Sequence, residues 1–164
     1  MAFIDLDSED AVGNPTFYNV TEAVGYGCKN MTEDVKVVQF FLKRFYMIPV
    51  LIPLKPWGTM TVDGKVGPIT RAWITKAQID ARASQLNVLV DGIVDRAGNA
   101  NNQDNYESSI SHTAYLIRIL NKNIRKFQRE LYKTLTTNQE VPPDLRSIFQ
   151  QMHAAGPPMN YGNA

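Results

Sequence analysis

Covalent or metal chemistry in this chain would have to come from two histidines, His112 and His153, one cysteine, Cys28, and scattered carboxylates. A zinc centre needs three or four ligands in ordered spacings. No His-Glu-x-x-His pattern is present, and two distant histidines with one cysteine do not make a ligand set. A cysteine–histidine hydrolase would need Cys28 beside one histidine and a group to orient it. Glycan hydrolysis needs two carboxylates across a cleft. Glu22, Glu33, Asp104 and Glu107 are available for that, as they would be in most chains of this composition. The residues therefore read as those of a protein that is not an enzyme and carries no cofactor and no metal. A hydrolase using unrecognised catalytic groups stays open as an alternative.

Binding chemistry is better represented. Ligand pockets combine an apolar or aromatic platform with a few polar anchors. Trp57 lies in a loop, where an indole is a natural stacking plate for a sugar ring. Asp63, Lys65 and Arg71 are placed to meet amines or carboxylates. Tyr26 and Tyr46 are further aromatic candidates. A second set is a basic row, Arg118, Lys122, Arg125, Arg129 and Lys133. Its steps of three and four residues put the row on one face of a helix, opposite the apolar stripe. Such a face either solubilises the protein or docks it to an acidic surface. No nucleic-acid motif accompanies it, so nucleic acid is not an expected partner.

These residues need elements to hold them. Thr32 to Tyr46 predicts a helix, with Thr32 as N-cap, Glu33 and Asp34 in the first turn, and Val35, Val38, Leu42 and Phe45 as a buried stripe. Residues 47–61 hold Pro49, Pro53, Pro56 and Gly58 and predict a loop, part of it packed inward. Gly67-Pro68 opens a second helix running to about Ser84, because proline at the first helical position loses no hydrogen bond. Its inner face is Ile69, Ala72, Trp73 and Ala77. From Ser108 to Leu135 apolar residues recur every three or four positions and predict one long helix of about seven turns. Ile117, Leu120, Ile124, Phe127 and Leu131 are among its inward residues. Pro142-Pro143-Asp144 starts a short last helix with Leu145, Ile148, Phe149 and Met152 inward. Residues 1–23 show no sustained period and read as an irregular arm, and 154–164 as a loose tail.

Two phrases share one logic: Val62-Asp63-Gly64-Lys65-Val66-Gly67-Pro68 and Val90-Asp91-Gly92-Ile93-Val94. In each, an aspartate accepts a backbone N–H ahead of it, a glycine takes a positive φ, and flanking apolar residues pin the turn to a core. With Asp34-Val35, Val38-Gln39, Phe41-Leu42, Ile69-Thr70, Ala72-Trp73 and Gln78, this order of residues resembles the peptidoglycan-binding-like domain family. Val24-Gly25-Tyr26-Gly27-Cys28-Lys29-Asn30 looks like the glycine-rich lead-in of some members. The resemblance covers residues 24–98. It departs from the family pattern in a longer loop between Leu42 and Asp63, in Asp95-Arg96 replacing a second Gly-Pro, and in the helix from Ser108.

The resemblance implies a small three-helix bundle over 24–100; with the long C-terminal helix and the short final one over 106–153, read from periodicity and packing on it, the expected fold is all-α. It implies non-catalytic recognition of peptidoglycan, through its glycan or its stem peptide. A structural or adaptor protein reusing the fold, docking another protein through the long helix, is the alternative. Fold alone does not choose between them.

Of the 164 residues, 44 % are hydrophobic and 20 % charged, enough for a packed core, and the net charge of +1 points to no strongly charged partner. The most apolar run, from Met47 to Leu54, is broken by prolines, whereas a membrane span needs roughly 20 residues. The acidic start Met1-Ala2-Phe3-Ile4-Asp5 is not a secretory signal. The expectation is a soluble protein made in the cytoplasm and delivered to the wall by a non-classical route, such as a phage particle or a contractile injection apparatus.

Overall fold

The expectation of an all-α fold with a three-helix bundle over 24–100 fails: the described residues of that span hold two helices and a pair of short strands, and a further strand pair forms at the N-terminus. In this computed structural model, which describes residues 2–6, 16–48, 54–98 and 114–156, β1 (Phe3–Leu6) pairs antiparallel with β2 (Thr16–Asn19). Their register places Ile4 opposite Tyr18 and Asp5 opposite Phe17. A second two-stranded sheet joins β3 (Val24–Gly25) to β4 (Ile93–Val94). The fold is mostly helical but mixed.

A two-stranded ribbon of this length is marginal alone. Here its open edge is closed by side chains. The Tyr18 N–H donates to Asn121 Oδ1 at 2.8 Å, and Asn121 Nδ2 donates back to the Tyr18 carbonyl at 3.0 Å. Asn121 thus stands in for a third strand at Tyr18. Asn19, at the end of β2, reaches the other way: its side chain accepts from Ala97 N at 3.1 Å and donates to Ala97 O at 3.2 Å. The expected irregular arm is core: Ala2, Ile4, Phe17, Tyr18 and Val20 are all buried.

The central element is α1 (Thr32–Phe45). Val35, Val38, Leu42 and Phe45 are buried as expected, but so are Val37, Phe40 and Phe41, so the helix is covered on more than one face. It packs against α2 (Pro68–Ala83), α3 (Leu116–Phe127) and α5 (Pro143–Ala155). Met31, not Thr32, holds its N-cap position. The buried Asp34 carboxylate instead caps the preceding loop, accepting Thr21 N at 3.1 Å and Glu22 N at 3.0 Å. The second and last helices match their expected spans. Pro68 and Pro143 stand in their first turns, and Leu145, Ile148, Phe149 and Met152 point inward.

The expected long helix is shorter and broken. It begins at Leu116; Ser108 to Thr113 lie outside the described residues. It stops at Phe127, and α4 (Arg129–Lys133) continues beyond Gln128, whose φ of −130° and ψ of 55° leave the helical region. A polar exchange accompanies the break. Arg44 Nε donates to Gln128 Oε1 at 2.8 Å, and Gln128 Nε2 donates to the Arg44 carbonyl at 2.7 Å, near the end of α1. A free carbonyl at a helix C-terminus needs such a partner. With the turn lost, Phe127 is partly exposed at 38 %, whereas periodicity turned it inward.

Tyr18, Phe41, Tyr132 and Phe149 form an aromatic centre in which Tyr18 meets the other three rings edge-on at 5.0–6.0 Å. This core draws on β2, α1, α4 and α5 together. Among the described residues no helix is long and apolar enough to cross a membrane.

Candidate functional site

Both Asp-Gly turns hang from a buried helix glutamine. Gln39 on α1 accepts at Oε1 from Asp63 N at 3.1 Å and Gly64 N at 2.9 Å. Its Nε2 donates to Asp63 Oδ1 at 3.0 Å and to the Lys65 carbonyl at 2.9 Å. Gln78 on α2 repeats the pattern. It accepts from Asp91 N at 3.1 Å and Gly92 N at 2.8 Å, and donates to Asp91 Oδ1 at 3.0 Å and the Ile93 carbonyl at 2.9 Å. Each aspartate also accepts the N–H two residues ahead, from Lys65 at 2.9 Å and from Ile93 at 3.0 Å. Gly64 and Gly92 take φ of 77° and 74°. The motif residues are thus explained by local structure. The Asp63 carboxyl is held below its ordinary value, first by the Lys65 N–H and then by the Gln39 amide.

The repeat extends along the helices. Val35, Val38, Gln39 and Leu42 on α1 correspond to Ile74, Ala77, Gln78 and Ala81 on α2, each pair thirty-nine residues apart, and all eight are buried. Sequence reasoning named both glutamines without seeing that they anchor the turns. Their equal spacing behind matching apolar residues was the available signal.

The second turn borders the groove of interest. The β3–β4 pairing sets Gly25 opposite Ile93 and brings Tyr26 beside α2. A Cβ at Gly25 would lie 2.6 Å from the Gly92 carbonyl oxygen, so glycine permits this close approach. Arg71, in the first half of α2, lays its guanidinium 4.3 Å from the Tyr26 ring centroid. Between them, along α2 and the turn, lies an open groove of about 690 Å³ lined by Tyr26, Arg71, Ala72, Thr75, Ile79 and Ile93 among others. Tyr26 is 73 % exposed and Ile79 48 %.

The six expected ligand residues therefore separate. Tyr26 and Arg71 meet in the groove. Asp63 and Lys65 line a smaller hollow of about 230 Å³, with Thr59 and Thr61, and Pro68 borders both spaces. Trp57 is 72 % exposed and stands apart from both linings; its carbonyl accepts the Trp73 indole N–H at 2.9 Å. Tyr46 is a correction. It is buried, donates to Asp80 at 2.7 Å and packs edge-on against Trp73 at 5.6 Å, so it offers no face to a ligand. Burial, with the Asp80 carboxylate beside it, pushes its phenol far up.

The basic row is also corrected. Arg118 is buried at 3 %, its guanidinium 4.4 Å from the Phe17 ring centroid, because the β1–β2 ribbon covers the side that periodicity assigned to solvent. Lys122 and Arg125 are half-buried, while Arg129 and Lys133 are exposed beyond the break at Gln128. The cations do not form one continuous outward face.

Among the described residues, those considered for catalysis are Glu22, Cys28, Glu33 and His153. His153 meets the Tyr18 hydroxyl at 2.8 Å. Burial and the nearby Asp95 and Asp91 charges push the Cys28 thiol up, the reverse of nucleophile activation. Glu22 pairs with Lys29 at 3.4 Å. Asp104, Glu107 and His112 lie outside the described residues. Among the described residues no group of three or more His, Cys, Asp or Glu is placed to hold a metal ion.

Comparison with protein-family models, with curated proteins and with solved structures gives no match to this chain.

Proposed function

We propose that this protein is a non-catalytic binding module for peptidoglycan, and that its ligand lies in the groove between α2 and the Asp91 turn. The observation that carries the reading is the exposed Tyr26 ring with the Arg71 guanidinium laid on it at the groove wall. An aromatic face, an apolar floor and a charged anchor are the ingredients of a site for a sugar–peptide polymer. The resemblance of residues 24–98 to peptidoglycan-binding-like domains points the same way. The Gln78 anchor gives the second turn of that resemblance a structural purpose, a rigid support for the groove, and Gln39 holds the first turn in the same way. The adaptor alternative drew on a continuous basic row. The burial of Arg118 and the break at Gln128 leave it with less support.

The test is co-sedimentation with insoluble sacculi. The wild-type protein is expected to pellet, and Tyr26→Ala to remain in the supernatant while melting at the wild-type temperature. Trp57→Ala is expected to pellet like wild type, since Trp57 stands apart from the groove. Absence of wild-type pelleting at low salt overturns the reading. Release of soluble sugar or of new amines from the sacculi would overturn its non-catalytic part.

A further inference from the structure

We propose that Arg71 recognises a carboxylate of the peptidoglycan stem peptide, with the peptide's small apolar side chains against Ala72, Ile79 and Ile93. The inference rests on the peptidoglycan reading above and assigns chemistry to the same groove.

The argument begins with the charges at the groove. Two cations line it, Arg71 and Lys76. Lys76 is already paired with Asp80, one turn along α2. Arg71 takes part in none of the ion pairs Lys29–Glu22, Lys36–Asp144, Arg44–Glu140 and Lys76–Asp80. The groove's carboxylate is also committed. Asp91 Oδ1 accepts from Gln78 and from the Ile93 N–H, which aims it at its own turn. The groove therefore presents an arginine that is in no ion pair among the described residues, beside an aspartate whose Oδ1 is turned to its own backbone.

Stacking decides what that arginine can do. A guanidinium lying on a ring engages its π face and leaves the in-plane N–H fork open. The ring also restricts the side chain's rotamers, which lowers the entropy lost on binding. A planar fork of donors fits a carboxylate bidentately, and a neutral hydroxyl or amide makes a poorer partner. The C–H face of a sugar ring matches the exposed side of Tyr26; the fork of Arg71 matches an acid. In peptidoglycan the acids are on the stem peptide, whose alanine methyl groups suit a floor of Ala72, Ile79 and Ile93.

The experiment alters the ligand and the protein separately. Sacculi are used native and after amidation of their carboxylates with carbodiimide and ammonia. Wild-type protein is expected to bind amidated sacculi at least tenfold more weakly than native ones. Arg71→Gln is expected to lose at least tenfold on native sacculi and nothing further on amidated ones. Arg71→Lys, which keeps the charge but not the fork, is expected to recover only part of the loss. Lys43→Gln removes the same charge from an exposed position on α1 and is expected to bind as wild type. Equal binding of wild type to both sacculi, or equal losses for Arg71→Gln and Lys43→Gln, overturns the carboxylate assignment and leaves the peptidoglycan reading standing. Failure of wild type on native sacculi overturns both.

Discussion

At the first turn, Gly64 is buried against α1: a Cβ there would lie 2.7 Å from the Thr32 methyl and 3.2 Å from the Thr32 carbonyl oxygen. At the second, Gly92 is half-buried, and the nearest obstacle to a Cβ is the Thr75 hydroxyl at 3.3 Å. Both turns hang from a glutamine in the same way, within 0.1 Å bond for bond. One is closed over by α1, and the other borders an open groove with Tyr26 and Arg71. The shared geometry makes the scaffold, and what flanks each turn decides whether a ligand can approach.

The largest effect expected in breaking this symmetry comes from the anchors. Gln39→Ala leaves the Gly64 N–H without its acceptor, leaves the Asp63 N–H only the Thr61 carbonyl, and removes the donor to Asp63, Lys65 and Thr70. Each buried group left unpaired costs about 1–3 kcal/mol, so a loss of roughly 4 kcal/mol is expected. Gln78→Ala removes the same bonds except a counterpart to the one with Thr70, at a site closer to solvent. A loss of roughly 2–3 kcal/mol is expected there. Urea unfolding monitored by circular dichroism measures both. Equal losses would mean that the surroundings of the two turns do not matter to stability.

The glycines come next. Alanine at either position takes a left-handed conformation at a cost of about 1–2 kcal/mol. Gly64→Ala adds the collision with Thr32 and is expected to lose roughly 3 kcal/mol, most of it as an overpacking term. Gly92→Ala is expected to stay near the backbone cost alone, because the Thr75 side chain can rotate. A Gly92→Ala variant as unstable as Gly64→Ala would show the second turn to be as enclosed as the first.

The same contrast governs what was legible in the sequence. α1, α2 and α5 are periodic, punctuated by Pro68 and Pro143, and local in their logic, so their spans could be read. The β1–β2 ribbon could not, because its four-residue strands are held by Asn121 and Ala97, which lie 103 and 78 residues along the chain from their partners. The break at Gln128 depends on Arg44, and the burial of Arg118 on Phe17, both distant partners invisible to a period of three or four. At the site, Tyr26 and Arg71 were legible as residue types. Their meeting was not, since it follows from the pairing of β3 with β4 across nearly the whole family-like segment. Tyr46 failed as a candidate for the same reason: Asp80 and Trp73, which enclose it, lie on another helix.

The smallest expected effect separates the two turns by pH. Asp63 titrates below its ordinary value because its charged form accepts the Lys65 and Gln39 N–H groups. Its contribution to stability is complete above the unfolded value of 3.8 and is lost as pH falls through the lower folded value. Asp95, just after β4, is shifted the other way by burial and by the Asp91 charge. Its neutral form is the favoured one, so its contribution is complete below 3.8 and disappears as pH rises through the folded value. The two groups therefore act on opposite sides of 3.8: below it Asp63 makes stability fall toward acid, and above it Asp95 makes stability fall toward base. Asp63→Asn is expected to remove the first contribution and flatten the fall in stability toward acid, by less than about 1 kcal/mol because Asp63 is exposed and screened. Asp95→Asn is expected to remove the decline in stability that Asp95 causes as pH rises above 3.8 and to leave the fall below it unchanged. Unfolding free energies at half-unit pH steps resolve the two. An Asp63→Asn profile parallel to wild type would show that the N–H groups around this carboxylate hold the turn without favouring its charge.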